Sequence, residues 1–244
     1  MNRLYVLLTV VAFVALAVCS VRADGLIVQL PKDGAWATFD MHQVKSLVDR
    51  NTGETLIEDS SSDLSLRVSS VGQVTVEGKS CRWIEIKLQE ILDGKMQSII
   101  FKALIPQEHL KRGGEPEKHI VRGWAKAYDK PIVQIEDVDK GPLRLLLSGP
   151  LQDSKKLDSK VIDCKAGKLN CDGLSGTTAW KDQAGRKFQA THEIRLHDKS
   201  PFGVAFWDSR TEMDDQVRAR MIIKMTSTLS ESGTNAKSEL RDHN

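Results

Sequence analysis

The chain has 244 residues, with 35 Lys and Arg against 33 Asp and Glu, 40% hydrophobic residues and 5% aromatic ones. That length and apolar content give one large or two small domains with enough core to fold. A charge balance this near neutrality gives no electrostatic reason to expect nucleic acid or an anionic membrane as partner.

The N-terminus reads as an export signal. Met1-Asn2-Arg3 carries the positive charge, Leu4 to Val18 is apolar except for Thr9, and Val21-Arg22-Ala23 offers small or modest side chains before a cut at Asp24. The apolar run is shorter than the roughly 20 residues needed to span a bilayer. Leu16-Ala17-Val18-Cys19 resembles a lipobox, but Val18 stands where Gly, Ala or Ser is normal, so cleavage after Ala23 is the preferred reading. Removing 1–23 takes away Arg3 and Arg22 and no acid, so the 35 basic residues fall to 33 against 33 acidic ones. The expected localisation is periplasmic or secreted.

Beyond the leader, two-residue periodicity marks half-buried strands. Ala37, Phe39 and Met41 alternate with polar residues, as do Leu64, Leu66 and Val68. A turn at Gly72 leads to Val74 and Val76; Ile84, Ile86 and Leu88 follow; and after the hairpin signal Asp93-Gly94 a strand spans Met96 to Ile105. The texture then changes. Pro106 to Gly114 reads as a short helix, and Pro116 opens a second on which Ile120, Val121, Trp124, Ala127 and Tyr128 fall at helical spacing. Pro142 to Leu147 is a short apolar strand, and 151–159 is a polar surface loop. Residues 160–180 suggest a hairpin around two cysteines, and strands follow at Phe188–Leu196, Phe202–Met213 and from Ala219 through Met221, Ile223 and Met225. From about Ser230 the polar chain lacks apolar period, so 230–244 is expected to be a disordered tail, leaving 24–229 as a single β-rich domain.

Few residues propose chemistry. Cys164 and Cys171 flank a glycine-centred stretch, and a disulfide there is preferred for an exported chain, with two unrelated thiols as the second reading and metal as the weakest. Cys81 reads as a buried strand thiol. His192 and His197 are five apart rather than four, so they cannot share a helical face as zinc ligands; both read as solvent-facing or locally hydrogen-bonded. The carboxylates at Glu136, Asp137 and Asp139, and at Asp214 and Asp215, read as solvated loops. No nucleophile elbow and no phosphate loop is present, so a non-enzymatic protein without cofactor is expected. Trp36, Trp83, Trp124, Trp180 and Trp207 pack a core on one reading. On the other they line an aromatic cleft, with Trp83, Trp124, Trp207, Met221 and Met225 as the candidate ligand-binding set.

Gly34-Ala35-Trp36, the run from Ser70 through Cys81-Arg82-Trp83 to Ile86, and Ser200-Pro201-Phe202-Gly203 resemble uncharacterised secreted bacterial proteins. More distantly, the layout resembles the LolA/LolB-type lipoprotein carriers. That resemblance implies a mainly β (α+β) fold: a strongly curved antiparallel sheet, an open half-barrel, with a small helical insert near 106–128 covering its concave face. It also implies an apolar ligand or lipoprotein acyl chain as cargo. The second functional expectation is a structural or interaction module with a solid core, whose partners are envelope proteins.

Overall fold

The computed structural model describes residues 26–92, 94–135, 151–181, 186–214 and 219–240. The leader at 1–23, the strand expected at Pro142–Leu147 and the carboxylates Glu136, Asp137, Asp139 and Asp215 lie outside them.

Among the described residues eleven strands form one antiparallel sheet. They are β1 Trp36–Asp49, β2 Thr55–Val76, β3 Lys79–Leu92, β4 Lys95–Pro106, β5 Arg122–Ala127, β6 Val133–Gln134, β7 Gln152–Cys164, β8 Gly167–Lys181, β9 Lys187–Leu196, β10 Val204–Asp214 and β11 Ala219–Gly233. Their spatial order is β6-β5-β4-β3-β2-β1-β11-β10-β9-β8-β7. The sheet is therefore two meanders joined along the pairing of β1 with β11, where Phe39 faces Leu229 and Leu47 faces Met221. Strands β6 and β7 at its two ends do not pair with each other, so the sheet is open.

Alternation gives each strand one buried face. Ala37, Phe39 and Met41 of β1, Leu66 and Val68 of β2, and Ile84 and Ile86 of β3 all enter one core. The same core takes Phe101 and Ala103 from β4, Ile162 from β7, Cys171 from β8, Ile194 from β9, and Trp207 and Leu229 from β10 and β11. A second, smaller cluster joins Cys81, Trp83 and Leu104. Cys81 is the buried strand thiol that its apolar neighbours suggest.

The Ser200-Pro201-Phe202-Gly203 turn locks the chain's first described loop. Val28 N–H donates to the Phe202 carbonyl at 3.0 Å, and Gln29 Nε2 donates to the Ser200 carbonyl at 2.6 Å. Gly203 has φ +85°, and a Cβ there would stand 2.3 Å from Val28 Cγ2. Close approach and left-handed backbone together require glycine.

Several expectations are overturned. The helical insert near 106–128 is absent: among the described residues the only helical elements are two 3-10 turns, Gln107–His109 and Pro116–His119. The stripe that suggested a helix is instead strand β5, in which Trp124 faces Lys102 and Ala125 faces Phe101. Gly123 disfavours a helix interior, and pairing with β4 satisfies a sheet edge that would otherwise stay exposed. The loop expected at 151–159 is the start of β7. Gly72 does not end its strand: β2 runs through it, with φ +135° and an irregular register between Ser70 and Gln73. The expected Cys164–Cys171 disulfide is not formed. Cys164 faces Gly167 across the hairpin while Cys171 faces Lys160, four positions along, and both thiols are free. Four strand residues span about 13 Å, against the roughly 4.4–6.8 Å between Cα atoms that a disulfide allows.

The tail is also ordered as far as Leu240. Strand β11 continues to Gly233, Trp36 Nε1 donates to the Thr234 carbonyl at 3.2 Å, and Ala236 N–H donates to the Gly34 carbonyl at 2.8 Å. The segment then lies over the face of β3 and β4 that carries Glu85 and Lys102. The Glu85 carboxylate accepts the Ser238 hydroxyl at 2.8 Å, the Glu239 N–H at 3.1 Å and the Leu240 N–H at 3.2 Å. Lys102 Nζ donates to the Leu240 carbonyl at 3.0 Å, and Lys87 pairs with Glu239 at 2.8 Å.

Candidate functional site

Three hairpins and one strand meet around an open groove of about 1000 Å³. Strands β1 and β2 bring Met41 and Leu64, opposite each other in register, and β11 brings Leu229. These three form an apolar floor. The β3–β4 hairpin, a two-residue turn with Leu92 facing Lys95 and Gly94 at φ +73°, brings Ile91 and Met96 to the rim. Its side chains are unusually open for their type: Ile91 is 68% and Met96 64% exposed. The tip of the β7–β8 hairpin, carrying Asp163, Cys164 and Lys165, closes the other side.

Charge is unevenly spread around that floor. Asp40, Asp63, Glu90 and Asp163 line the groove, against Lys165 and the imidazole of His42. Lys165 Nζ stands 2.7 Å from Asp40, and this hydrogen bond holds its ammonium pKa above the usual lysine value. His42 Nδ1 stands 2.7 Å from Asp63, whose side chain is 89% exposed. Glu90 accepts from the Tyr128 hydroxyl at 3.3 Å; burial and that carboxylate push the phenol up to about 12. Beside Glu90, burial lowers the Lys45 ammonium, partly offset by the carboxylate's attraction. Cys164 Sγ reaches the Gly167 carbonyl at 3.1 Å.

None of the five candidate ligand residues lines this groove, and they do not form one common site. Trp83 and Trp124 pack in a tilted pair, centroids 5.1 Å apart and planes at 51°, in the smaller cluster, with Lys102 Nζ 4.9 Å from the Trp83 ring centroid. Trp207 and Met225 are buried in the main core, and Met221 is half-buried opposite Met213 and Leu47. The groove residues that sequence reasoning passed over are Met41, Leu64, Ile91, Met96 and Leu229. Two of them flank the Asp93-Gly94 turn, and apolar side chains on both sides of a hairpin tip were the available signal.

Of the two readings for His192, solvent-facing or hydrogen-bonded, the structure takes the second. The residue is 4% exposed, its Nε2 lies 2.9 Å from Thr178 Oγ1, and Trp207 Nε1 donates to its Nδ1 at 3.4 Å. Burial pushes its pKa down to about 4. Neighbouring β10 and β11 add Ser209, Thr211 and Ser227 to this buried polar row, and Ser227 Oγ has no partner. With both ring nitrogens engaged, the imidazole serves the core rather than proton transfer. Among the described residues no group of three His, Cys, Asp or Glu side chains could hold a metal ion. A second hollow of about 720 Å³ lies beside Trp180 and Phe188, whose rings stack at 4.9 Å, with Glu212 and Arg220 paired at 3.1 Å.

No protein-family model and no curated protein matches the chain. Among solved structures, a candidate exported protein with YMCC-like fold from Bacteroides fragilis is similar at 8% identity and TM-score 0.35, over 85% of this chain and 99% of that one. A candidate lipoprotein from Parabacteroides distasonis is similar at 8% identity and TM-score 0.34, over 86% of this chain and 99% of that one. Likeness at this level assigns neither a fold family nor a function.

Proposed function

We propose that this chain is an exported, non-enzymatic binding protein whose groove takes an elongated apolar moiety such as an acyl chain. The observation that carries the reading is the groove of about 1000 Å³ with Met41, Leu64 and Leu229 on its floor and exposed Ile91 and Met96 at its rim. Ligand sites occupy about 300–1,000 Å³ and are mostly apolar, and exposed apolar side chains grouped at one rim mark contact surfaces.

A curled sheet is part of the proposal. Strands β4 and β7 are eight steps apart in the strand order. In a flat sheet that is about 38 Å, yet Phe101 of β4 and Ile162 of β7 share one core. Right-handed strand twist accumulated over so many strands supplies such curling. The half-barrel implied by the carrier resemblance fits this geometry, without the helical cover.

The test is fluorescence enhancement of a neutral naphthylamine probe on the purified chain. Binding in the micromolar range is expected, weakened about tenfold by Leu64→Trp, which fills the floor; tenfold corresponds to about 1.4 kcal/mol. Absence of enhancement, or enhancement indifferent to Leu64→Trp in a variant with unchanged circular dichroism, sinks the reading.

The interaction-module alternative is favoured by one separate feature. Leu56 and Ile57 of β2 are 52% and 60% exposed, near the β1–β2 turn. Should that surface dock an envelope protein, Leu56→Ser with Ile57→Ser removes crosslinking to the partner and leaves probe binding intact.

A further inference from the structure

The geometry points to a cationic amphiphile, an apolar chain with an ammonium-type head group, as the ligand class of the groove; this rests on the reading of the groove as an apolar-ligand site. The floor is indifferent to head-group charge, since Met41, Leu64 and Leu229 offer only apolar surface. The rim is not indifferent. Four carboxylates, Asp40, Asp63, Glu90 and Asp163, line the groove against the single ammonium of Lys165. That ammonium is already held 2.7 Å from Asp40, so it is not offered to a ligand anion.

Neighbours just beyond the lining reduce the excess of carboxylates without reversing it. Lys45 attracts Glu90, Lys168 stands 4.0 Å from Asp163, and Glu231 acts on Lys165. Counting them leaves carboxylates in excess, five to three. Asp63 is paired with His42, and its side chain is 89% exposed. An anionic head group would enter this field against the net repulsion of the carboxylates. An ammonium head would exchange water for carboxylate oxygens while its chain covered Ile91 and Met96. Complementary charge of this kind decides between ligands that share the same apolar contact.

Dodecylammonium and dodecanoate carry the same chain and opposite heads, and both are titrated below micelle formation against the bound naphthylamine probe. At low ionic strength dodecylammonium is expected to displace the probe at about a tenfold lower concentration than dodecanoate. The ratio shrinks at about 1 M salt, where the screening length falls to roughly 3 Å. In the Asp63→Asn, Glu90→Gln double variant it falls to about twofold at low salt. Equal displacement by the two heads, or preference for dodecanoate, overturns the head-group inference while the apolar groove stands. Failure of the probe itself to bind removes the groove reading and this inference with it.

Discussion

At the scale of single residues, His192 couples the core to pH. Burial disfavours the charged ring and pushes its pKa down to about 4, below the ordinary imidazole value of 6.5. Unfolding returns the ring to water and to a pKa near 6.5, so between these values the unfolded chain binds more protons. The stability due to the neutral ring is therefore complete above about pH 6.5 and is lost as pH falls toward 4. The full difference is about 3 kcal/mol. Urea unfolding at pH 7.5 and pH 4.5 should show this loss, and a His192→Gln variant should show a distinctly shallower fall across the same window. An equal fall in both proteins would assign the acid sensitivity to carboxylates elsewhere.

At the scale of elements, the terminal segment behaves as a strap held by two buried charges. Glu85 is 4% and Lys102 2% exposed, and both bond to the segment: Glu85 accepts the Ser238 hydroxyl and the Glu239 and Leu240 N–H groups, and Lys102 donates to the Leu240 carbonyl. Such charges are tolerable inside only when their polar atoms are satisfied. Glu85→Ala removes the acceptor for two N–H groups and a hydroxyl, so a loss of at least about 2 kcal/mol is expected. Limited proteolysis should then cut the strap after Ala236 or Lys237 in the variant and spare it in the parent. Equal protection in both would show that Leu240, 1% exposed, anchors the segment by itself.

Strand periodicity made most of this architecture legible in advance: β1, β3, β4, β9 and β10 fall where alternating apolar residues place them. The strap was not legible, because its anchor is a single leucine and its partners lie some 150 residues away. Strand β5 was misread because Ile120, Val121, Trp124, Ala127 and Tyr128 fall at a helical spacing, while the chain from Arg122 to Ala127 pairs as a strand between β4 and β6. The groove was illegible for a third reason. Met41, Met96 and Cys164 belong to three hairpins, and only the closing of β1 on β11 brings these into one place.

At the scale of the whole molecule, the open question is whether two meanders make one cooperative unit or two. Among the described residues they pair through β1 with β11 alone, yet the main core draws Phe101, Ile84 and Leu66 from one meander and Ile162, Cys171 and Ile194 from the other. A shared core makes burial in each half contingent on the other, which is the condition for all-or-none unfolding. Ile162 discriminates between the two cases, since it belongs to β7, at the end of the strand order furthest from β3 and β4, and is 7% exposed. Truncation to alanine there removes buried methyl groups and leaves a cavity, at a cost of about 2–4 kcal/mol. If the core is common, Ile162→Ala speeds hydrogen exchange in β3 and β4 as much as in β8, and tryptophan fluorescence and circular dichroism lose signal at one urea concentration. If the meanders are independent, exchange rises in β7 and β8 alone and the two signals separate. The common core favours the first outcome. It would also bind the groove's two sides, the β3–β4 and β7–β8 hairpins, into a single rigid frame.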